Sequence, residues 1–287
     1  MTRPLPLLPL AFFALLACNK GDKVPSYLDI PSVSLTTTGQ QGSATSKITD
    51  AWVFADEELI GVWELPARVP VLRDGASTIR VTPGIKRNGM FDDRLRYPFY
   101  SSWTSHVEFS LREVTAVQPT VNYISQAGFW IEAFEEPGSA FITSEASDTT
   151  LLRFTPAQYP EVVLNNSPCG GFILDADHRY IRIYTDEDFQ VPGGPVFLEM
   201  DYRNDITFTV GVLFNSGGQP VSLPYVYVVP TTRPDGQTAW NKMYIDLSPV
   251  FNQGVTERDI YFEASLPSDM GHGHVYLDNV KLVRLTP

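Results

Sequence analysis

Ile206-Thr207-Phe208-Thr209-Val210-Gly211-Val212-Leu213-Phe214 decides the fold. Side chains along an extended chain point alternately to two faces. The even positions Ile206, Phe208, Val210, Val212 and Phe214 therefore share one face, as in a strand with one side in a core. Thr207 and Thr209 point the other way, toward solvent or the wall of a groove. β-rich runs continue outward from this segment. Upstream they cover 129–134, 151–154, 171–174, 180–184 and 196–202, and downstream 225–229, 242–247, 259–264 and 274–285.

The part of the chain ahead of residue 125 reads the same way. Ala51-Trp52-Val53-Phe54-Ala55, Ile60-Gly61-Val62-Trp63-Glu64-Leu65 and Thr78-Ile79-Arg80-Val81-Thr82 are strand-like, separated by Asp-Glu, Pro and Asp-Gly breaks, with further strands over 106–111 and 121–124. No stretch sustains helical periodicity, and the connections are too short for crossover helices. The expected class is all-β, with two β-sandwich domains at 47–118 and 119–287 and a break within 117–123.

Ahead of them, Leu15-Leu16-Ala17-Cys18 closes a short apolar run behind Arg3. Residues 5–16 are too few to span a bilayer as a helix, and a small residue before the cysteine suits a cleavage site. The stretch resembles the bacterial lipobox. That implies a leader over 1–17 and a diacylated Cys18 as the new N-terminus, held in the membrane by roughly 0.8 kcal/mol per buried methylene. Residues 18–46, rich in Pro, Ser, Thr and Gly, are expected to form a flexible stalk. With Cys18 acylated, Cys169 has no partner for an intramolecular disulfide, so the folded part stands on its cores. A net charge of -12 argues against a nucleic-acid partner.

The order Phe197-Leu198-Glu199-Met200-Asp201-Tyr202, the strand through Phe208, Trp240-Asn241-Lys242-Met243-Tyr244-Ile245-Asp246-Leu247 and Val275-Tyr276-Leu277-Asp278-Asn279-Val280-Lys281-Leu282 resembles a galactose-binding-like jelly roll, the layout of carbohydrate-binding modules. The upstream part, notably Ile48 to Phe54 and Gly75 to Gly89, resembles the small Ig- or transthyretin-like sandwiches found beside such modules in gram-negative envelope lipoproteins. The pairing implies a protein anchored in the outer membrane by its lipid, facing the periplasm or the cell surface. Its jelly roll would bind a glycan. The other reading is a structural or accessory subunit that docks on proteins of a secretion, motility or uptake complex.

Sugar recognition uses an aromatic face against the apolar side of a pyranose, with polar groups on its hydroxyls. Tyr202, Tyr225, Tyr227 and Trp240 supply candidate rings, and Asp201, Arg203 and Asn241 candidate polar edges. Asp201 and Tyr202 face opposite ways unless a bulge intervenes. The resemblance also implies a structural calcium between an early glutamate and an acid near the last strand, here Glu135, Glu136 and Asp278.

Nothing in the sequence identifies an enzyme. There is no Gly-x-Ser-x-Gly elbow and no phosphate-binding Gly-rich loop. Gly271-His272-Gly273-His274 offers two imidazoles without a third ligand, Asp175-Ala176-Asp177-His178 lacks a nucleophile, and Cys169 lacks an activating neighbour. The expected role is binding without catalysis.

Overall fold

The computed structural model describes residues 24–190 and 193–286. Cys18 and the leader lie outside them. Strands dominate, as the alternation predicts, with one α-helical turn, α1 (Ser248–Phe251), and one 3-10 turn, Gly39–Gln41, among the described elements.

The first domain comprises β1 (Ser26–Ile30), β2 (Ser34–Thr36), β3 (Asp50–Ala55), β4 (Glu58–Glu64), β5 (Ala67–Val71), β6 (Gly75–Lys86), β7 (Arg94–Arg96), β8 (Trp103–Phe109), β9 (Val114–Ala116) and β10 (Thr120–Asn122). One sheet runs β5-β1-β9; the other runs β4-β3-β6-β7 with β8 also on β6, and β2 pairs with β10. Buried Leu28, Ile30, Val53, Val69, Ile79, Val81 and Phe109 fill the space between the sheets.

Two expectations change here. A stalk is expected over 18–46, but in the described part of that stretch β1 is the central strand of its sheet, with Leu28 and Ile30 fully buried. Its alternating run is only five residues long and lies among Pro and Ser, too short for the period to stand out. The domain break also falls later than 118, because β10 pairs with β2 and Tyr123 belongs to the first core.

The second domain comprises β11 (Ala127–Glu132), β12 (Phe141–Thr143), β13 (Leu152–Phe154), β14 (Cys169–Leu174), β15 (Tyr180–Thr185), β16 (Val196–Asn204), β17 (Phe208–Ser216), β18 (Gln219–Val228), β19 (Asn241–Asp246), β20 (Thr256–Ser265) and β21 (Gly273–Leu285). A six-stranded sheet runs β13-β14-β21-β16-β19 with β11 also on β21, and a five-stranded sheet runs β12-β15-β20-β17-β18. The chain passes back and forth between the sheets, which is jelly-roll winding. Ile206, Phe208, Val210 and Val212 are buried between them and Phe214 packs at the margin.

The long strand β21 changes partner midway: β14 pairs with its first half and β11 with its second. The change occurs at Asp278-Asn279, where Asn279 takes a left-handed φ of 48° and the register against β16 shifts between Glu199 and Asp201. This β-bulge turns both Asp278 and Asn279 outward and restores alternation beyond it.

The outward face of the six-stranded sheet is covered by the chain itself. Phe197, Tyr244 and Val283 project from it into the first domain's core. Beside them lie two cross-strand rows, Lys242–Asp201–Asp278 and Tyr244–Glu199–Lys281. Fully buried Glu199 accepts the hydroxyls of Tyr97 at 2.7 Å and Tyr123 at 2.9 Å, with Lys242 Nζ 3.5 Å away. Asp201 accepts Thr45 Oγ1 at 2.5 Å and Asn279 Nδ2 at 2.9 Å, and Lys281 Nζ donates to the Ser43 carbonyl at 2.6 Å. Burial of such charges is tolerable only with partners on every side. The free edge of β19 is also taken, since Asn88 N donates to the Tyr244 carbonyl at 2.8 Å.

Candidate functional site

With one jelly-roll face enclosed, the outward face of the five-stranded sheet is the one left to solvent. Strand register fixes what it carries. One row across all five strands is Ile142–Tyr184–Tyr261–Gly211–Pro224, and the next is Arg182–Glu263–Thr209–Tyr227. Ser222, Pro224 and Tyr227 are exposed, Tyr227 by 68%, while Tyr180 and Tyr184 are half-buried.

Gly211 shapes the middle of this face. A Cβ there would stand 2.2 Å from Tyr261 Cζ, so the absent side chain lets the Tyr261 ring lie across the strand. The Arg182 guanidinium sits 4.7 Å above that ring and closes it off from water. Glu263 fixes Arg182 by accepting its Nε at 2.6 Å, and accepts Tyr180 Oη at 2.9 Å. Arg182 also borders a cavity of about 360 Å³ with Leu213, Pro220, Ser222, Glu257 and Asp259. Burial pushes the Asp259 carboxyl up to about 6, with neighbouring Asp188 adding to the shift against a hydrogen bond from Thr185. At neutral pH Asp259 is an acceptor. The face thus offers tyrosine rings, one held guanidinium and carboxylates, the groups that grip the two sides of a sugar ring.

The residues singled out in the sequence divide between several places. Tyr227 lies on this face, and Thr209 lies opposite it on β17. Tyr225, in the bulge of β18, is not on this face: it packs against the jelly-roll core and donates Oη to the Asp246 carbonyl of β19 at 2.8 Å. Tyr202 is core, 4% exposed, with its Oη accepting Asn241 Nδ2 at 2.8 Å; it is not a ring on a wet face, because alternation sends it inward from Asp201. Trp240 is half-buried beside Val162 and Val163 and donates Nε1 to the Val162 carbonyl at 2.9 Å. It lines a cleft on the enclosed side together with Asn241, Lys47, Lys242 and Asp201. Arg203 donates Nε to Thr238 Oγ1 at 2.7 Å and Nη1 to the Glu161 carbonyl.

Glu135 and Asp278 meet on another cleft, with Asn165, Ser167 and Asn279, whereas exposed Glu136 is not part of its lining. Asp278 Oδ1 accepts its neighbour's N–H at 2.7 Å, and Oδ2, fully buried, has no protein partner. Burial pushes this carboxyl up to about 8, against that hydrogen bond, and Asp201 and Glu135 add to the rise. The donors are oxygen atoms of the kind calcium takes, two of the residues being acids. No group of three His, Cys, Asp or Glu assembles as a metal site among the described residues.

His274 pairs with Asp205 at 2.6 Å, and His178 with Asp175 at 3.1 Å in an exposed turn. Burial pushes the Cys169 thiol up to about 12, which leaves it protonated and unreactive. Tyr180, Arg182, Tyr184, Asp259 and Glu263 were missed as site residues. The alternation of Tyr180-Ile181-Arg182-Ile183-Tyr184 places three of them on one face, and that signal was present in the sequence.

No protein-family model matches the chain, and no curated protein matches it. Among solved structures, the chain is similar to a carbohydrate-binding module of the β-sandwich superfamily described for promiscuous specificity, at 12% identity over 81% of this chain and 84% of that one, TM-score 0.38. It is also similar to a module specific for non-crystalline cellulose, at 16% identity over 54% and 92%, TM-score 0.39. A third is the family 30 module of a Clostridium thermocellum cellulosomal cellulase, at 14% identity over 54% and 91%, TM-score 0.33. At these scores, function has to be read from the chain's own residues.

Proposed function

We propose that this chain is an envelope-anchored, non-catalytic protein whose jelly roll holds a carbohydrate chain across the open face of the five-stranded sheet. The observation that carries the reading is the pairing of Tyr184, Tyr180 and Tyr227 with a fixed Arg182–Glu263 pair on the one jelly-roll face not covered by the chain itself. Rings in this setting gain by covering the apolar side of a pyranose, and the ion pair with Asp259 meets its hydroxyls. Anchoring through Cys18 belongs to the same proposal and rests on the leader sequence. It raises the local concentration of the domain near its ligand and so compensates for weak single-site affinity. Calcium between Glu135 and Asp278 would rigidify the bulge of β21, and the unpartnered Asp278 Oδ2 is what supports it.

The test is affinity electrophoresis through immobilised polysaccharides, backed by a glycan array. Tyr227→Ala and Tyr184→Ala are expected to weaken retention about tenfold each, the effect of losing roughly 1–1.5 kcal/mol of stacking. Tyr227→Ala should leave the melting temperature unchanged. Retention indifferent to both substitutions would remove the open face from the reading.

Docking on a partner protein is the second reading, favoured by a cavity of about 440 Å³ on the first domain. Leu59, Ile60, Trp63, Pro70 and Leu72 line it, and Leu59 and Leu72 are half exposed. Copurification of a stable large complex from native membranes, lost on Leu72→Asp, would support it.

A further inference from the structure

The described residues include four lysines, Lys47, Lys86, Lys242 and Lys281, and all four lie where the two domains meet. In a chain of net charge -12 such convergence runs against the overall balance. Three of them, Lys47, Lys86 and Lys242, line one cleft of about 250 Å³, facing a single carboxylate, Glu64. Lys47 and Lys242 also line the adjoining cleft of about 260 Å³ that contains Trp240 and Asn241.

These ammonium groups are not equally satisfied. Lys242 is committed to Glu199 and Asp201, at 3.5 and 3.7 Å. Lys281 donates to the Ser43 carbonyl and is paired across the strands with Glu199. Lys86 reaches Glu64 at 3.4 Å and the Phe91 carbonyl at 2.8 Å, but Glu64 is shared with Arg94 at 3.0 Å. Lys47 is exposed, and the hydrogen-bond acceptor of its Nζ is neutral, Asn241 Oδ1 at 2.7 Å; no carboxylate lies within ion-pair range among the described residues. Desolvation and the nearby Lys86 charge both hold the Lys47 ammonium below its ordinary range. An anion seated between Lys47 and Lys86 would offset the repulsion between them and favour the charged form of both.

A second observation points to what carries the anion. Phe91, on the rim of the same cleft, is 80% exposed, more than any other large apolar residue described. A ring held that far into water beside two ammonium groups suits a ligand with a flat, partly apolar body and a charged oxygen group.

We infer that the junction cleft between Lys47 and Lys86 binds an oxyanion-bearing ligand about the size of one charged sugar residue, with Phe91 covering its apolar side. Lys47 supplies the unneutralised charge and Lys86 the second donor. The site lies on the enclosed side of the jelly roll, away from the open sheet, so it does not depend on the reading above.

Calorimetric titration of the purified mature protein at low salt tests this, with inorganic phosphate, glucuronate and uncharged glucose as probes. Saturable binding of phosphate or glucuronate is expected, weakened by added sodium chloride, with glucose not binding at this cleft. A response to phosphate alone identifies a phosphorylated ligand, and one to glucuronate alone a uronate. Lys47→Gln and Lys86→Gln should each weaken binding about tenfold, Lys47→Arg should retain most of it, and Phe91→Ala should weaken glucuronate more than phosphate. Tyr227→Ala should have no effect, which separates this site from the open face. Binding of neither anion, or equal binding by wild type, Lys47→Gln and Lys86→Gln, would overturn the assignment. If Lys86→Gln lowers the melting temperature, the more exposed Lys47→Gln decides.

Discussion

At the scale of single residues, Asp278 is the most informative. Its carboxyl keeps a proton in the folded state from its ordinary value of 3.8 up to about 8, an interval in which the unfolded chain has already lost it. On account of this group, stability falls as pH rises through that interval. Asp278→Asn keeps an acceptor for the Asn279 N–H and removes the ionisable oxygen. It is expected to stabilise the protein by about 1–3 kcal/mol at pH 8, the cost of one unsatisfied buried polar group, and by little at pH 4. Urea unfolding at the two pH values measures this, and a gain independent of pH would assign the cost elsewhere. If calcium binds between Glu135 and Asp278, it raises the wild-type melting temperature and leaves the Asp278→Asn variant unmoved. The residue was legible in the sequence as an acid near the last strand. Its burial was not, because that follows from a bulge closed over by Ser43 and Asn165 from distant parts of the chain.

Among the elements, β17 and β20 make the open face what it is. Their register sets Gly211 beside Tyr261, and the glycine is needed for the ring's close approach. Gly211→Ala is expected to cost about 1–3 kcal/mol in thermal or urea unfolding, since the new methyl drives Tyr261 out from under Arg182. Glycan retention should fall with it, because Arg182 loses its platform. A variant of wild-type stability would mean that Tyr261 moves aside freely. The alternation over 206–214 indicated the inward face of β17 directly, and all but Phe214 of that face is fully buried. The outward face was legible only as Thr207 and Thr209. What lies beside Thr209 depends on pairing with Glu263 and Tyr227, which come from strands 54 and 18 residues away in the chain.

For the molecule as a whole, the two sandwiches behave as one body. Phe197, Tyr244 and Val283 complete the first domain's core from the second, and burial of each large ring there contributes about 1.5–3 kcal/mol. Glu199 ties Tyr97 and Tyr123 of one domain to Lys242 of the other. Differential scanning calorimetry is expected to give one cooperative transition, with calorimetric and van't Hoff enthalpies in agreement. Glu199→Ala leaves Lys281 without the buried carboxylate beside it and Lys242 with Asp201 alone, and should cost about 3–5 kcal/mol, lowering that single transition. Two resolved transitions in the wild type would mean that the domains fold apart.

Several properties follow from sequence alone: the all-β class, most strands of the jelly roll, the late strand carrying Leu277-Asp278-Asn279-Val280 and the acidic balance. Each is local, since a strand's period and a run of composition are fixed by neighbouring residues. Only the tertiary structure decides that Ser26–Ile30 is a central strand, that Tyr202 is core and Tyr227 is not, and that four lysines share one junction. It also decides which jelly-roll face stays open. These depend on which strands meet and on what the first domain covers, and hydrophobic burial settles such long-range pairings across the whole chain.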